Sequence, residues 1–184
     1  MKEAGSFHVT LVGDDQTSCY VFLRDERRTL FWLERGGKRH AMMRKATRAD
    51  HPRISEVRLA VHENRLSDSA SESVGQVVSW LFDNSIFWVW EEDGAIQGFS
   101  AADPRDGSIF ALFVHPLYEG RGIGRALLPL ACEILRASGH ATARLKTDPG
   151  TRAERFYRMD GWTEVGRQAD GQIIFQKALP NIDQ

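Results

Sequence analysis

The sequence has little of what marks several large classes of protein. Its 184 residues include only two cysteines, Cys19 and Cys132, which are too few for a disulfide framework and suit a reducing compartment. Basic and acidic residues nearly cancel, and the net charge of -1 lacks the basic excess of a nucleic-acid-binding protein. No apolar run approaches the ~20 residues that span a bilayer, and the opening MKEAGSFHV lacks the apolar centre of a signal peptide. We therefore expect a soluble, cytoplasmic protein that binds neither nucleic acid nor membrane.

What is present is the composition of an ordinary globular domain. Hydrophobic residues make up 42% and charged residues 27% of the chain, and the length suffices for one domain with a proper core. The six histidines show no pair with convincing metal-ligand spacing, so no metal site is predicted.

Strand and helix patterns alternate from residue 43 onward. Strands are predicted at 43–48, 86–92, 95–103, 108–115 and 142–147, and a last hairpin at 162–168 and 172–179. Helices are predicted at 52–64 with Asp50 as its N-cap, from Ser71 or Ser73 to residue 81, from a glycine-rich turn to about residue 138, and at 151–161. This order indicates a mixed α/β sandwich.

Residues 1–41 are harder to interpret. The stretches FHVTLV, CYVFL and TLFWLE could form three short strands, and LERGGKRHAMM looks like a linker. Residues 1–41 are either an accessory β-segment packed on the domain or on a partner, or a weakly ordered extension, and both alternatives stay open. The main domain is predicted over residues 42–184.

The stretch HPLYEGRGIGRALL, residues 115–128, places Gly120, Gly122 and Gly124 directly before a helical pattern. Glycine inside a helix is less favourable than alanine by roughly 1 kcal/mol, so three glycines at a helix entrance need a reason. A helix N-terminus exposes unpaired N–H groups and the positive end of the helix dipole, and glycines let a phosphate approach the backbone. Arg121 and Arg125 add positive charge. The third glycine of a dinucleotide fingerprint and the lysine of a nucleotide-triphosphate loop are both missing, so those two phosphate loops are excluded.

The same turn resembles the acetyl-CoA pyrophosphate loop of the GNAT (GCN5-related) N-acetyltransferase superfamily. That loop carries V-x-P on a strand and then Q/R-x-x-G-x-G/A at the start of a helix. Val114, Pro116, Gly122 and Gly124 match, and Glu119 stands where glutamine or arginine is usual.

A second segment, AERFYRMDGW, resembles the family's A-x-x-F-Y-x-x-x-G-F/W motif. The matching residues are Ala153, Phe156, Tyr157, Gly161 and Trp162, and Gly150 stands where the family often has asparagine. Together the two motifs extend the resemblance over about residues 42–179. It implies a GNAT-type α/β fold, in which a mixed, mostly antiparallel sheet is flanked by helices and splayed at its central strands to hold acetyl-CoA.

The resemblance also implies a reaction and the residues for it. The reaction is direct transfer of an acetyl group from acetyl-CoA to a primary amine of a small molecule or peptide. Backbone groups for the pantetheine arm are expected at Phe113, Val114 and His115, and the pyrophosphate is expected at Gly120, Arg121, Gly122, Ile123, Gly124 and Arg125. Tyr157 is the expected acid that protonates the departing thiolate, with Phe156 packed beside it at the cofactor. The structural alternative for Tyr157 is an aromatic packing residue on an amphipathic helix.

The acceptor side is less determined by the sequence. Some relatives carry a glutamate on the strand 108–115, where this chain has Phe110, so the general base could be Glu63, His62, Asp103, Asp106 or a water chain. Arg58 and His62 lie one turn apart beside the apolar stripe of the first helix and could face an acceptor cleft. Trp80, Trp88 and Trp90 fall in the acceptor region, and Trp88 is the candidate for an aromatic wall that attracts an amine cation. Core packing explains Trp88 and Trp90 equally well.

Two other classes of function remain open. The absent strand carboxylate and the replaced asparagine allow a non-catalytic acyl-CoA-binding or regulatory module. A pure protein-interaction domain would bind no CoA at all. A homodimer is a further open expectation.

Overall fold

Strands and helices alternate along the computed structural model, which describes residues 6–11, 18–25, 28–34, 41–63, 72–84 and 86–180. The strands are β1 (Ser6–Leu11), β2 (Ser18–Asp25), β3 (Arg28–Glu34), β4 (Ala41–Lys45), β5 (Phe87–Glu92), β6 (Ala95–Asp103), β7 (Ser108–Val114), β8 (Thr142–Thr147), β9 (Thr163–Arg167) and β10 (Ile173–Ala178). The helices are α1 (His51–Ala60), α2 (Glu72–Asp83), α3 (Ile123–Ala137) and α4 (Arg152–Met159).

The described strands form one sheet in the order β1-β2-β3-β4-β5-β6-β7-β8-β10-β9. Every neighbouring pair is antiparallel except β7 and β8, which are parallel and pair only at Ser108 and Arg144. Beyond that point β7 runs on to Val114 without pairing to β8, so the two central strands separate. The mostly antiparallel sheet with splayed central strands that the motifs implied is therefore confirmed.

Helices cover both faces of the sheet, and this explains the composition of the strands. On one face Val57 of α1 and Leu81 of α2 pack against Phe87 and Phe99. On the other face α3 and α4 pack against β5, β8 and β10. Because both faces are covered, β5 is buried almost continuously, whereas β8 alternates buried and exposed residues.

The segment around Asp50 differs from the prediction. The strand ends at Lys45 instead of residue 48, and α1 spans His51–Ala60 instead of 52–64. Asp50 does not cap α1 with its side chain, because its Oδ2 accepts hydrogen bonds from the Thr47 backbone N, at 2.7 Å, and from the Thr47 hydroxyl, at 3.0 Å. Two nitrogens of the Arg44 guanidinium donate to the same carboxylate, each at 2.8 Å. A short 3-10 turn over residues 48–50 results, and it joins β4 to α1.

The start of α2 was also predicted imperfectly. The helix begins at Glu72, so Ser73 lies inside it and cannot be its N-cap, and it ends at Asp83 instead of residue 81. The alternative cap, Ser71, lies outside the described residues. The predicted strands at 86–92, 95–103, 108–115 and 142–147, the helix ending near residue 138, the helix at 151–161 and the final hairpin are confirmed within a few residues at their ends.

Three strands from the N-terminal part of the chain continue the sheet beyond β4. Their order is β1, β2, β3, and Phe31 of β3 pairs with Met43 of β4. The division of the chain into residues 1–41 and 42–184 stays a prediction. In the part of the chain that the structure describes, no helix is long and apolar enough to cross a bilayer.

Candidate functional site

A cleft of about 390 Å³ opens where β7 separates from β8. Its walls come from the segment after α1, the end of β7, the glycine turn and the start of α4. The lining residues are Val61, Glu63, Leu112, Phe113, Val114, Tyr118, Glu119, Gly120, Gly122, Ile123, Gly124, Arg125, Arg152, Ala153, Phe156 and Tyr157. We call this cavity the donor cleft. Nine of the eleven residues predicted for acetyl-CoA and catalysis line it, the other two being His115 and Arg121.

The glycine turn shapes one end of the donor cleft. Gly120 and Gly122 have φ angles of 73° and 83°, in the left-handed region that side chains disfavour. A Cβ built on either glycine would meet nothing within 4 Å, so the turn leaves open space above its backbone. The first bond within α3 runs from the Ala126 N–H to the Gly122 oxygen at 3.0 Å, so the helix enters with its leading amides unused by its own ladder. Such amides and the open space fit a phosphate group.

A glycine on β6 allows α3 to start close to the sheet. A Cβ on Gly98 would lie 2.9 Å from the Cγ2 of Ile123 and 3.0 Å from the Phe113 oxygen, contacts too short for any side chain. The absence of a side chain at Gly98 therefore lets the N-terminus of α3 pack closely against the end of β7. This contact fixes the glycine turn relative to the strand that forms the floor of the cleft.

The open edge of β7 offers backbone groups to a ligand, but not all at the predicted residues. His115 donates its N–H to the Gln97 oxygen at 2.8 Å, and its own oxygen accepts from the Tyr118 N–H at 2.8 Å. Both backbone groups of His115 are thus used within the protein, and it lies outside the cleft lining. Because successive residues of a strand direct their backbone groups to opposite sides, Val114 and Leu112 present theirs toward the cleft and Phe113 presents its own toward β6. Leu112, which the motif comparison missed, replaces His115 at this edge.

The charged residues of the turn separate into two groups. Arg125 lines the cleft. Arg121 turns away, with its guanidinium 3.5 Å from the buried Glu92 carboxylate and 5.3 Å from the centre of the Tyr118 ring. Glu119 lines the cleft and forms an ion pair with Arg152 of α4.

Tyr157 is both a core residue and a wall of the cleft. Only 6% of it is exposed, and its ring makes edge contacts with Phe156 and Trp162, with ring centres 5.2 and 5.7 Å apart. Burial raises the pKa of the phenol well above its usual range, and the nearby Asp160 carboxylate raises it further. The phenol consequently keeps its proton at neutral pH. Tyr157 thus packs in the core and also lines the donor cleft.

Of the four side chains considered as bases, the structure brings one to the donor cleft. Glu63 lines the cleft, and its Oε2 accepts a hydrogen bond from the Arg152 N–H at 3.0 Å. Asp103 and Asp106 lie at the β6–β7 turn, near the Ser108 end of β7. The Arg105 guanidinium holds the pKa of Asp103 below its usual value, and Asp106 accepts from the Ser108 N–H at 2.9 Å. His62 lines neither this cleft nor the cavity described next.

A smaller cavity of about 70 Å³ lies between α1, α2 and strands β5 to β7. Its lining residues are His51, Ile54, Ser55, Arg58, Val78, Phe82, Phe87, Phe99, Phe110, Ala111 and Phe113. Phe113 also lines the donor cleft, so one ring separates the two spaces. Phe110 sits at an irregularity in the pairing of β6 and β7, since Ala101 pairs with Ala111 and Ala102 with Ile109, and such bulges redirect side chains beside functional sites.

Trp80, Trp88 and Trp90 line neither of the two cavities. Trp88 is only 5% exposed, packs in the cluster beneath α3, and has the Lys45 ammonium 4.2 Å from its ring centre. Trp90 is in the same cluster, and the Trp80 ring carries the Arg105 guanidinium 4.1 Å from its centre. Trp88 therefore does not line an acceptor cleft. The smaller cavity is lined by phenylalanines instead, and Arg58 is the predicted acceptor residue that lines it.

The residues that form this cleft lie mostly in a segment that matches a known protein family. The sequence model of the Acetyltransferase (GNAT) family matches residues 63–162, which include both motifs. The chain belongs to the GNAT acetyltransferase family. Among its described residues, no group of three or more histidine, cysteine, aspartate or glutamate side chains could hold a metal ion.

Two curated relatives share parts of this GNAT chain. A mycothiol acetyltransferase of Beutenbergia cavernae is 35% identical over 94 residues, 48% of this chain and 32% of that protein. An uncharacterized N-acetyltransferase, ycf52-like, of Prochlorococcus marinus is 30% identical over 94 residues, 47% of this chain and 51% of that protein. The matches thus span about a third to a half of the relatives' lengths.

Solved structures of acetyltransferases and of Ard1 share the fold at low sequence identity. The putative acetyltransferase yncA of Salmonella typhimurium, solved with acetyl-CoA, has a TM-score of 0.62 at 19% identity, covering 79% of this chain and 97% of that one. The ribosomal-protein-S18-alanine N-acetyltransferase of Escherichia coli has a TM-score of 0.60 at 19% identity, covering 78% and 98%. Ard1 of Thermoplasma volcanium has a TM-score of 0.64 at 14% identity, covering 77% and 99%.

Proposed function

We propose that the protein is an acetyl-CoA-dependent N-acetyltransferase that transfers the acetyl group directly to a primary amine of a small molecule or peptide. The observation that carries this proposal is the composition of the donor cleft. A single space is lined by the open glycine turn, by the end of β7 that does not pair with β8, and by the buried Tyr157. Family membership supports the same reaction.

The protein would hold acetyl-CoA by two polar parts, the pyrophosphate and the amides of the pantetheine arm. The amides at the start of α3 and the Arg125 guanidinium suit the pyrophosphate. The backbone groups of Leu112 and Val114 suit the amides of the pantetheine arm, which would extend the sheet in place of β8. The aromatic ring of Phe156 lines the same wall of the cleft as Ala153 and gives the arm an apolar surface.

Catalysis requires one proton to be donated and one to be removed. Acetyl-CoA supplies a thioester, whose carbonyl carbon bonds to the amine nitrogen while the carbon–sulfur bond breaks and leaves a thiolate. We propose that Tyr157 gives its phenolic proton to the sulfur, because it lies on α4 and lines the donor cleft.

We infer that Glu63 is the base that receives the proton of the amine. Among the side chains considered from the sequence, Glu63 is the one that lines the cleft. Its hydrogen bond to the Arg152 amide leaves the second carboxylate oxygen for the amine, directly or through a water molecule.

The acceptor is proposed to approach through the smaller cavity. The Phe113 ring borders both spaces, so an amine bound there would face the donor cleft. The walls formed by Phe82, Phe99 and Phe110 favour an apolar group on the acceptor, and Arg58 favours a negative one.

The experiment that tests the proposed function follows the release of free thiol from acetyl-CoA. The amine panel should include small amines, amines related to mycothiol and peptides with a free N-terminus, since one relative is named for mycothiol and one structure for the alanine of a ribosomal protein. Thiol release that depends on an amine supports the proposal. Binding of acetyl-CoA without turnover on any acceptor would favour the non-catalytic module, and absence of binding would contradict both.

Two further expectations belong to this proposal. We infer a cytoplasmic location from the low cysteine content, which fluorescence microscopy of the tagged protein can test. The homodimer stays a prediction, and sedimentation of the purified protein measures it.

A further inference from the structure

Three segments of the chain meet at Arg152, at one side of the donor cleft. The Arg152 guanidinium forms an ion pair with Glu119 of the glycine turn, and its backbone N–H donates to the Glu63 carboxylate at 3.0 Å. All three residues line the cleft. The start of α4 is therefore attached both to the turn and to the segment after α1.

Glu119 places a negative charge where a diphosphate would have to bind. It directly precedes Gly120 and stands at the position where the resembling loops carry glutamine or arginine. A carboxylate there repels a phosphate unless a cation compensates for it. Arg121 does not do so, because it lies beside Glu92 and outside the cleft lining. Arg152 is the cation in contact with Glu119.

The Glu119–Arg152 pair is suited to exchange. The side chains are 29% and 53% exposed, respectively, and exposed ion pairs are weak. A guanidinium presents the same fork of N–H donors to a carboxylate and to a phosphate. A diphosphate carries more charge than one carboxylate, so a phosphate that enters the turn competes well for Arg152.

We propose that Arg152 is a ligand of the acetyl-CoA pyrophosphate that Glu119 holds in place until the co-substrate binds. On binding, the guanidinium moves from the Glu119 carboxylate to the phosphate oxygens, and its backbone N–H stays bonded to Glu63. Arg152 then provides the positive charge that position 119 lacks, while Glu119 lowers the affinity for the donor. This inference rests on the proposed function, because it assumes that acetyl-CoA occupies the cleft.

The test measures affinity by calorimetry with three probes that differ in phosphate content. CoA carries the pyrophosphate and a 3′-phosphate, dephospho-CoA carries the pyrophosphate alone, and pantetheine carries neither. Arg152→Gln should weaken binding of CoA and of dephospho-CoA by about 10-fold or more, because a charge-assisted bond is lost and Glu119 is left uncompensated. Binding of pantetheine should not change.

The informative second variant is Glu119→Gln, which releases Arg152 and removes the repulsion. It should tighten binding of CoA and dephospho-CoA by about 3-fold or more, a gain that loss of a merely structural ion pair would not produce. Arg155→Gln on α4 and Glu133→Gln on α3 are the controls, since both residues are exposed and neither lines the cleft. Both should leave all three affinities unchanged.

The possible results separate this inference from the proposed function. If the wild-type protein does not bind CoA, the proposed function fails and this inference fails with it. If the wild type binds CoA but Glu119→Gln weakens binding or leaves it unchanged, only the inference is overturned. Equal losses for CoA and pantetheine with Arg152→Gln would also overturn it, and a loss for CoA but not for dephospho-CoA would overturn the assignment to the pyrophosphate.

Discussion

Tyr157 shows how one residue can serve the core and the site together. Its ring packs between Phe156, Trp162 and Phe175, so the motif that places it also fixes its orientation. The same burial raises the pKa of the phenol. Packing therefore fixes the ring, whereas the raised pKa makes the phenol a weaker acid, and contact with the thiolate in the cleft has to offset that loss.

Replacing this tyrosine separates its two roles. Tyr157→Phe keeps the ring and removes the proton, so kcat should fall by about 10²-fold or more, within the range of general acid catalysis. The dissociation constant for acetyl-CoA should change less than about 3-fold, because the packing is preserved. Thiol-release kinetics and calorimetry measure the two quantities. An unchanged kcat would show that the residue only packs.

The base assignment is tested in the same way at Glu63. Glu63→Gln keeps the hydrogen bond to the Arg152 amide, since the amide oxygen still accepts, but removes the proton acceptor. We expect kcat to fall by about 10²-fold, and part of the loss to be recovered at high pH, where more of the amine is already deprotonated. Glu56→Gln, on the exposed surface of α1 beside Arg53, is the matched control. Equal pH profiles for wild type and Glu63→Gln would contradict the assignment.

Elements of secondary structure set how much of the site the sequence could predict. The positions of the glycine turn and of α4 were predicted correctly because each depends on local spacing. The turn directly precedes α3, and Phe156 and Tyr157 are neighbours on α4. The structure does not place His115 at the open edge of β7, because its amide donates to Gln97 on the neighbouring strand, and sequence spacing does not show strand register. The contact between Glu63 and Arg152 joins residues 89 positions apart, and no local pattern reveals it.

Buried strands were the second source of error. Trp88 and Trp90 share one face of β5 by period-two alternation, as predicted. Both faces of β5 are covered by helices, so alternation could not indicate which face lies near a cavity. The tryptophan face packs under α3, whereas the face with Phe87 borders the smaller cavity.

The junction between β4 and α1 gives a stability prediction with a defined pH dependence. Hydrogen bonds from the Arg44 guanidinium lower the pKa of Asp50 to about 2. Partial burial opposes this shift, and hydrogen bonds from Thr47 add to it. A depressed carboxylate pKa stabilises the folded state above the unfolded pKa of about 3.9, and this stabilisation is lost as the pH falls toward 2.

Asp50→Asn should therefore lower the free energy of unfolding by about 1–2 kcal/mol at pH 7, since it removes the charged carboxylate that accepts two hydrogen bonds from Arg44. The difference from wild type should shrink as the pH falls from about 4 to 2. Urea unfolding at several pH values measures it. Asp83→Asn, which removes an exposed pair with Arg48, should change stability by less than about 0.5 kcal/mol at any pH. A pH-independent effect of Asp50→Asn would contradict the account.

At the scale of the whole molecule, the donor cleft is built within a limited part of the chain. Its lining residues run from Val61 to Tyr157, and the family match covers residues 63–162. Strands β1 to β3 lie at the far end of the sheet, beyond β4 and β5.

Removal of residues 1–40, which keeps all of β4 from Ala41 onward, tests the predicted division of the chain after residue 41. The shortened protein should bind acetyl-CoA with an affinity within about 3-fold of the full chain, because no cleft residue is removed. It should also associate more readily, since β4 becomes an unpaired edge strand. Calorimetry and sedimentation measure the two effects. Loss of acetyl-CoA binding in a folded, shortened chain would show that residues 1–40 belong to the domain.

The most direct test of the account is a calorimetric titration of acetyl-CoA into the wild type and two glycine variants. Gly122→Val and Gly139→Val both place a branched side chain at a left-handed position, with φ angles of 83° and 88°, and neither Cβ meets an atom within 4 Å. The strain in the two variants should therefore be similar, but only Gly122 lines the donor cleft. We predict that the wild type and Gly139→Val bind acetyl-CoA with similar affinity and that Gly122→Val binds at least ~10-fold more weakly. Equal affinities of the two variants, or no binding by the wild type, would contradict the account.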